Sequence, residues 1–178
     1  FIHGDPSRIS REAPVIVLDF SSREIVPGGG GNAAMNAASL GGRAAAIGAL
    51  GSDFNGEELS RMLKEVGVAA GHLYLEPDRF TPTKMRIMAG GRNTSRQQVI
   101  RVDHERQLPM SPELEGRILK ALEALPGDGV DALIVSDYGL GVVTEAVREM
   151  AGRLAGEMIV TADSRRRGDT FRGGTAIT

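Results

Sequence analysis

A chain of 178 residues, 41% of them hydrophobic, can form one globular domain with its own core, which excludes a disordered tail. Its net charge of −2 offers no basic field for nucleic acid or an anionic membrane, so any anion must be bound locally. Zero cysteines exclude a disulfide framework and a thiolate metal site and suit a reducing cytoplasm; the scattered His3, His72 and His104 form no zinc pattern, and no segment reaches the roughly 18 apolar residues of a membrane span.

From the N-terminus, "VIVLD" (residues 15–19) and "REIVPGG" read as strand, turn, strand. A helix is expected from near Asn32 through the alanine-rich "AAMNAASL", stopped by Gly41-Gly42. "RAAAIGALG" (43–51) reads as a strand and "SDFNG" as a loop. Residues 56–66 read as a helix with Leu59, Met62, Leu63 and Val66 turned to the core. "GHLYLE" returns as a strand, giving the β-α-β alternation of a parallel sheet.

The middle differs. Residues 83–88 and 97–103 alternate polar and apolar and are joined by the turn-like "AGGRNTSR", so a hairpin is inserted into the α/β body. Beyond it, Ser111-Pro112-Glu113 starts a helix with Leu114, Ile118, Leu122 and Leu125 on its buried stripe. "DALIVSDYG" (131–139) reads as a fully buried strand, residues 144–154 as a helix and "EMIVTAD" as the next strand. The pattern is a layered α/β fold, one domain with a small β appendage. The chain starts at Phe1 and stops on "TAIT", a β-branched segment that reads as a strand cut short, so a piece of a longer protein is expected.

Three regions carry candidate chemistry. "PGGGGN" (27–32) places glycines at a strand-to-helix junction, where a ligand can reach the backbone and the helix dipole favours an anionic or hydroxyl-rich group. The spacing fits neither a Walker loop nor a dinucleotide fingerprint, and the amide of Asn32 suits sugar hydroxyls. The alternative is a flexible loop with an ordinary Asn cap. Asp137 stands where a strand ends, the usual ligand position in open α/β sheets, or else caps its own turn. Asp163 occupies the equivalent place on the next strand, followed by Arg165 to Arg167, which read as a solvated loop or an anion site. In the hairpin, Lys84 and Arg86 share one face, as do Arg101 and Asp103; these cations could hold a phosphate, or form the solvent side of a surface hairpin.

With "GDPSRISREAPV", "PGGGGNAAMNAASLGG", "GALGSDFNGEELSRMLKEVGV", "TPTKMRI", "QQVIRVDHE" and "VSDYGLGV" in this order, the chain resembles the ribokinase-like (PfkB) carbohydrate kinases. Within that family it is similar to the branch that phosphorylates D-glycero-β-D-manno-heptose 7-phosphate in lipopolysaccharide core synthesis. The resemblance implies a ribokinase-like three-layer α/β sandwich with a mostly parallel sheet. It also implies an inserted β-sheet lid from about 12–27 and 81–104, homodimerisation through that lid, and use of ATP and Mg²⁺ in the cytoplasm. It makes Gly28, Gly29 and Asn32 part of the sugar-site floor and Lys84, Arg86, Arg101 and Asp103 sugar or sugar-phosphate contacts, with Asp137 near the acceptor and the phosphates.

Three positions depart from that branch: Gly30 and Gly31 replace the usual alanines after Gly29, and Leu140 stands where a lysine is expected. The family's first-strand aspartate would precede Phe1, and its "GAGD" turn, with the catalytic base and anion hole, would follow Thr178. No catalytic residue is therefore expected within 1–178, and negligible kinase activity from these residues alone. The rival readings are another kinase of the family, acting on fructose phosphate, ribose or a nucleoside, a non-catalytic sugar-binding protein, or an interaction module working through the β appendage.

Overall fold

In a computed structural model, residues 1–91 and 95–164 and the backbone of 176–177 are described. The chain divides into two compact units, Phe1–Val26 with Pro82–Glu105, and Pro27–Thr81 with Arg106–Thr178.

The first unit is a four-stranded sheet in the order β2-β1-β5-β6, built from β1 (Ile2–Ile9), β2 (Ile16–Arg23), β5 (Thr83–Ala89) and β6 (Gln97–His104). β5 and β6 form the expected antiparallel hairpin, with Lys84 opposite Asp103, Met85 opposite Val102 and Arg86 opposite Arg101. The strand expected on "REIVPGG" is not there. β2 ends at Arg23, and its partner is β1, antiparallel from Ile2↔Arg23 to Ile9↔Ile16. β1 reads poorly as a strand because Gly4, Asp5, Pro6 and Ser7 are weak strand formers, and pairing on both sides overrides that preference. Its parallel ladder to β5 covers only Ile2 to Gly4, so Pro6, which has no N–H to give, sits where the β5 side is already unpaired.

The second unit contains two parallel sheets, β3-β4 and β7-β8-β9, from β3 (Ala45–Gly51), β4 (Ala69–Glu76), β7 (Ala132–Asp137), β8 (Ile159–Ser164) and β9 (Ala176–Ile177). The parallel strands are thus hydrogen-bonded as two sheets, although they share one core. α3 (Pro112–Ala124) and α4 (Glu145–Leu154) bury Leu114, Ile118, Leu122, Val147, Met150, Ala151 and Leu154 against Val135, Val160 and Ala162. Ile47, Ala49 and Tyr74 from the other sheet pack against the same cluster. Each fully buried Val, Leu, Ile or Met side chain there contributes about 1.5–3 kcal/mol.

The first two helices start earlier than the periodicity implies, whereas α3 and α4 start where expected, behind the caps Ser111 and Thr144. α1 (Gly29–Ser39) takes in three of the glycines, and α2 (Phe54–Glu65) begins behind Asp53, whose Oδ1 accepts from Gly56 N at 2.8 Å. Of the stripe expected on α2, Leu63 is buried, whereas Val66 is the C-cap residue and is 42% exposed. β7 is not buried on both faces: Val135 and Asp137 are buried, but Ile134 is 57% exposed. Gly41 does stop α1, at φ +91, with Gly42 N donating back to Ala37 O.

Candidate functional site

In the second unit, the glycine turn meets the end of β7. Pro27 is buried and Gly28 is the extended N-cap of α1, exposed and with open space where a side chain would stand. Gly29 has φ +52, and a Cβ on it would lie 3.3 Å from the Tyr138 ring; a Cβ on Gly31 would lie 2.9 Å from Leu59 Cδ1. Glycine at 29 is therefore favoured by its own backbone and the Tyr138 ring, Gly31 packs closely on the Leu59 side chain, and the exposed backbone at Gly28 is left open to a ligand. Asn32 is exposed in the first turn of α1, three residues inside the helix, and its N–H donates to Gly28 O at 3.3 Å.

Asp137 is 6% exposed. Its Oδ1 accepts from Gly139 N at 2.8 Å and its Oδ2 from Ser164 Oγ at 3.0 Å. These bonds fix the turn after β7, and each oxygen keeps a lone pair for a further donor. The ladder pairs Asp137 with Ser164 and Ser136 with Asp163, so Ser164, not Asp163, occupies the equivalent position on β8. Arg165 to Arg167 lie outside the described residues.

In the first unit, the alternation of the hairpin puts the four candidate side chains together. Lys84 Nζ donates to Asp103 Oδ2 at 3.1 Å and to Glu105 Oε2 at 2.7 Å, while Arg101 Nε donates to Asp103 Oδ1 at 2.9 Å. Arg86 faces Arg101 across the ladder; its guanidinium donates to Lys84 O at 3.4 Å and lies 5.4 Å from the centre of the Phe1 ring. Two guanidinium groups set directly opposite repel one another unless an anion lies between them. The other face carries Met85, Ile100 and Val102, between 40% and 53% exposed.

Residues 4–114, more than half of the chain, match the pfkB family carbohydrate kinases. The chain belongs to this family. Two curated relatives are both bifunctional proteins HldE, from Azorhizobium caulinodans (37% identical over 183 residues) and Gluconobacter oxydans (36% over 183 residues). Each alignment covers 100% of this chain and 37% of the relative, so the chain spans little more than a third of their length. Among solved structures, a carbohydrate kinase from Agrobacterium tumefaciens superposes with a TM-score of 0.61 at 26% identity, over 91% of this chain and 49% of that one. A ribokinase from Cryptococcus neoformans in complex with ADP gives 0.54 at 19% identity, over 93% and 46%. The fold is ribokinase-like, mixed α/β with mostly parallel strands in its body.

Two residues of this PfkB chain escaped the sequence reading. Glu105 joins the hairpin cluster, and its signal was its position two residues beyond Asp103. Arg79, in "EPDRF", lies in no motif that marks it, yet it is 5% exposed and ion-paired to Glu76. Among the described residues, no group of three or more His, Asp or Glu could hold a metal ion, and no helix is long and apolar enough to cross a membrane.

The hairpin ion pairs set a pH window. The hydrogen bond to Glu105, ahead of that to Asp103, raises Lys84 above its ordinary 10.5; the hydrogen bond from Lys84 lowers Asp103 below its ordinary 3.8. The Asp103 contribution is present above 3.8 and lost as pH falls through the lowered value, whereas that of Lys84 is present below 10.5 and lost as pH rises through the raised one. An NMR titration of the Asp103 carboxyl should therefore show a midpoint below 3.8 and no change from about pH 5 to 9. A midpoint at or above 3.8 would mean that the ion pairs do not form in solution.

Proposed function

We propose that the protein is an ATP-dependent sugar kinase acting on a sugar phosphate, heptose 7-phosphate, at its anomeric hydroxyl. The observation that carries this reading is the polar face of the β5–β6 hairpin. There Lys84, Arg86 and Arg101 outnumber the carboxylates of Asp103 and Glu105, in a chain whose full length aligns with HldE proteins. A surplus of donors on a rigid sheet suits a phosphate, because charge-assisted hydrogen bonds are about twice as strong as neutral ones.

In this reading the hairpin sheet is the lid of a single ribokinase-like domain. Arg86, Arg101 and Lys84 take the phosphate, Asp103 accepts from a sugar hydroxyl, and Gly28, Gly29 and Asn32 contribute backbone and amide groups to the sugar floor. Asp137 lies near the acceptor hydroxyl. ATP use is supported by the ADP-bound ribokinase neighbour. Mg²⁺ enters only through the family, since the described residues supply no cluster for it, and none of them is assigned as the proton-abstracting base. The exposed Ile16, Phe20, Met85, Ile100 and Val102 of the sheet support a homodimer formed through the lid, and the absence of cysteine suits a cytoplasmic setting.

The test is isothermal titration of the purified chain with heptose 7-phosphate, unphosphorylated heptose, fructose 6-phosphate and ribose. Heptose 7-phosphate should bind, and heptose at least about tenfold more weakly, the loss of one charge-assisted contact set. Tighter binding of fructose 6-phosphate or ribose would replace the heptose reading by another kinase of the family. Failure of all four to bind would overturn the sugar-kinase assignment of these residues.

A further inference from the structure

Arg79 of the second unit is 5% exposed and its guanidinium is shared among four acceptors. Its Nε donates to Glu76 Oε2 at 2.7 Å, one Nη to Leu140 O at 3.2 Å, and the other to Leu108 O at 3.2 Å and Pro109 O at 3.4 Å. Glu76 in turn accepts from Ser111 N, at the cap of α3, at 3.2 Å. One side chain thus ties the end of β4 to the segment leading into α3 and to the loop after β7.

The short connection that carries Arg79 is itself clamped. Thr81 N donates to Asp53 Oδ2 at 2.8 Å, and Gly51 N donates to Thr81 Oγ1 at 3.0 Å. Arg79 therefore reaches out from a fixed base. Burial alone would raise the Glu76 carboxyl, but the hydrogen bonds from Arg79 and Ser111 hold it below its ordinary value. A buried guanidinium is expensive to desolvate unless its donors find partners, and an ion pair kept there for stability alone could be replaced, as a pair, by uncharged side chains at little cost.

We propose that Arg79 is a positioning residue: through the Leu140 carbonyl it holds the Asp137–Gly141 loop in the register that a sugar phosphate requires. The proposal rests on the reading of that loop as substrate-facing. Lysine cannot replace the fork, because an ammonium can keep the Glu76 pair but cannot span Leu140 and Leu108 at once.

The test compares Arg79→Lys with Glu76→Gln/Arg79→Met, a pair that removes both charges and so avoids stranding a buried carboxylate. Two readouts are taken: hydrogen exchange without ligand, and titration with heptose 7-phosphate. Both variants should exchange about tenfold faster in residues 138–143 and 106–110, with α3, α4 and residues 53–57 unchanged, and should bind heptose 7-phosphate about 10- to 100-fold more weakly. Faster exchange throughout the unit, or parent-like exchange in both loops, would reduce Arg79 to a stabilising residue and overturn the proposal. Loop-confined exchange with parent-like affinity would overturn it too, since the loop would move without affecting the ligand. If the parent itself fails to bind, the sugar-phosphate reading falls, while the ligand-free exchange still decides whether Arg79 fixes the loop.

Discussion

Replacing Gly141 by alanine should destabilise the protein by about 3–4 kcal/mol, a large share of the roughly 5–15 kcal/mol that holds a domain folded. Two costs add. Gly141 has φ +93, where a side chain costs about 1–2 kcal/mol, and the new Cβ would lie 2.1 Å from Leu108 O, a backbone atom that cannot swing away. Overpacking of this kind costs about 1–3 kcal/mol more. Urea unfolding should show a lower midpoint with an unchanged slope. Gly28→Ala is the control, because Gly28 has φ −119 and nothing lies within 4 Å of the place a Cβ would take, so it should cost no more than about 1 kcal/mol, the penalty of alanine at an N-cap. Equal effects at the two positions would mean that the loop around Gly141 does not pack on Leu108.

The contrast between these glycines shows where sequence reading stops. A run of glycines announces that something is close, but not what. Gly29 and Gly31 answer to Tyr138 and Leu59, which lie far away in the chain, and Gly28 answers to nothing in the protein. Periodicity located α3, α4 and the hairpin because their faces are set by local spacing: Leu114, Ile118, Leu122 and Leu125 are all buried, and Lys84 and Arg101 emerge on the side that alternation assigns. It missed β1, whose strand conformation comes from its partners, and it missed Arg79, whose partners at Leu108 and Leu140 are carbonyls that no residue type reveals. It placed Asp163 opposite Asp137, one residue out of register, because the ladder offset between β7 and β8 is a tertiary fact.

The largest functional effect is expected from the cations of the hairpin. A hydrogen bond to a charged group is worth about 1.5–3 kcal/mol, so Arg86→Ala and Arg101→Ala should each weaken heptose 7-phosphate about 10- to 100-fold while leaving unphosphorylated heptose within about threefold. The two arginines face each other and would share one phosphate, so the double variant should lose less than the sum of the single losses. Lys84→Ala adds a second effect: its ammonium is divided between Asp103 at 3.1 Å and Glu105 at 2.7 Å, so removing it leaves their charge less neutralised on the face proposed for the phosphate and repels that group. That repulsion should fall on the phosphorylated sugar far more than on its analogue and should weaken as salt is raised. Equal weakening of both sugars in all three variants would remove the phosphate from this face and leave the cations as the solvent side of the sheet. A loss confined to the phosphorylated sugar ties the surplus charge of the hairpin to the ligand, because nothing else about the two sugars differs.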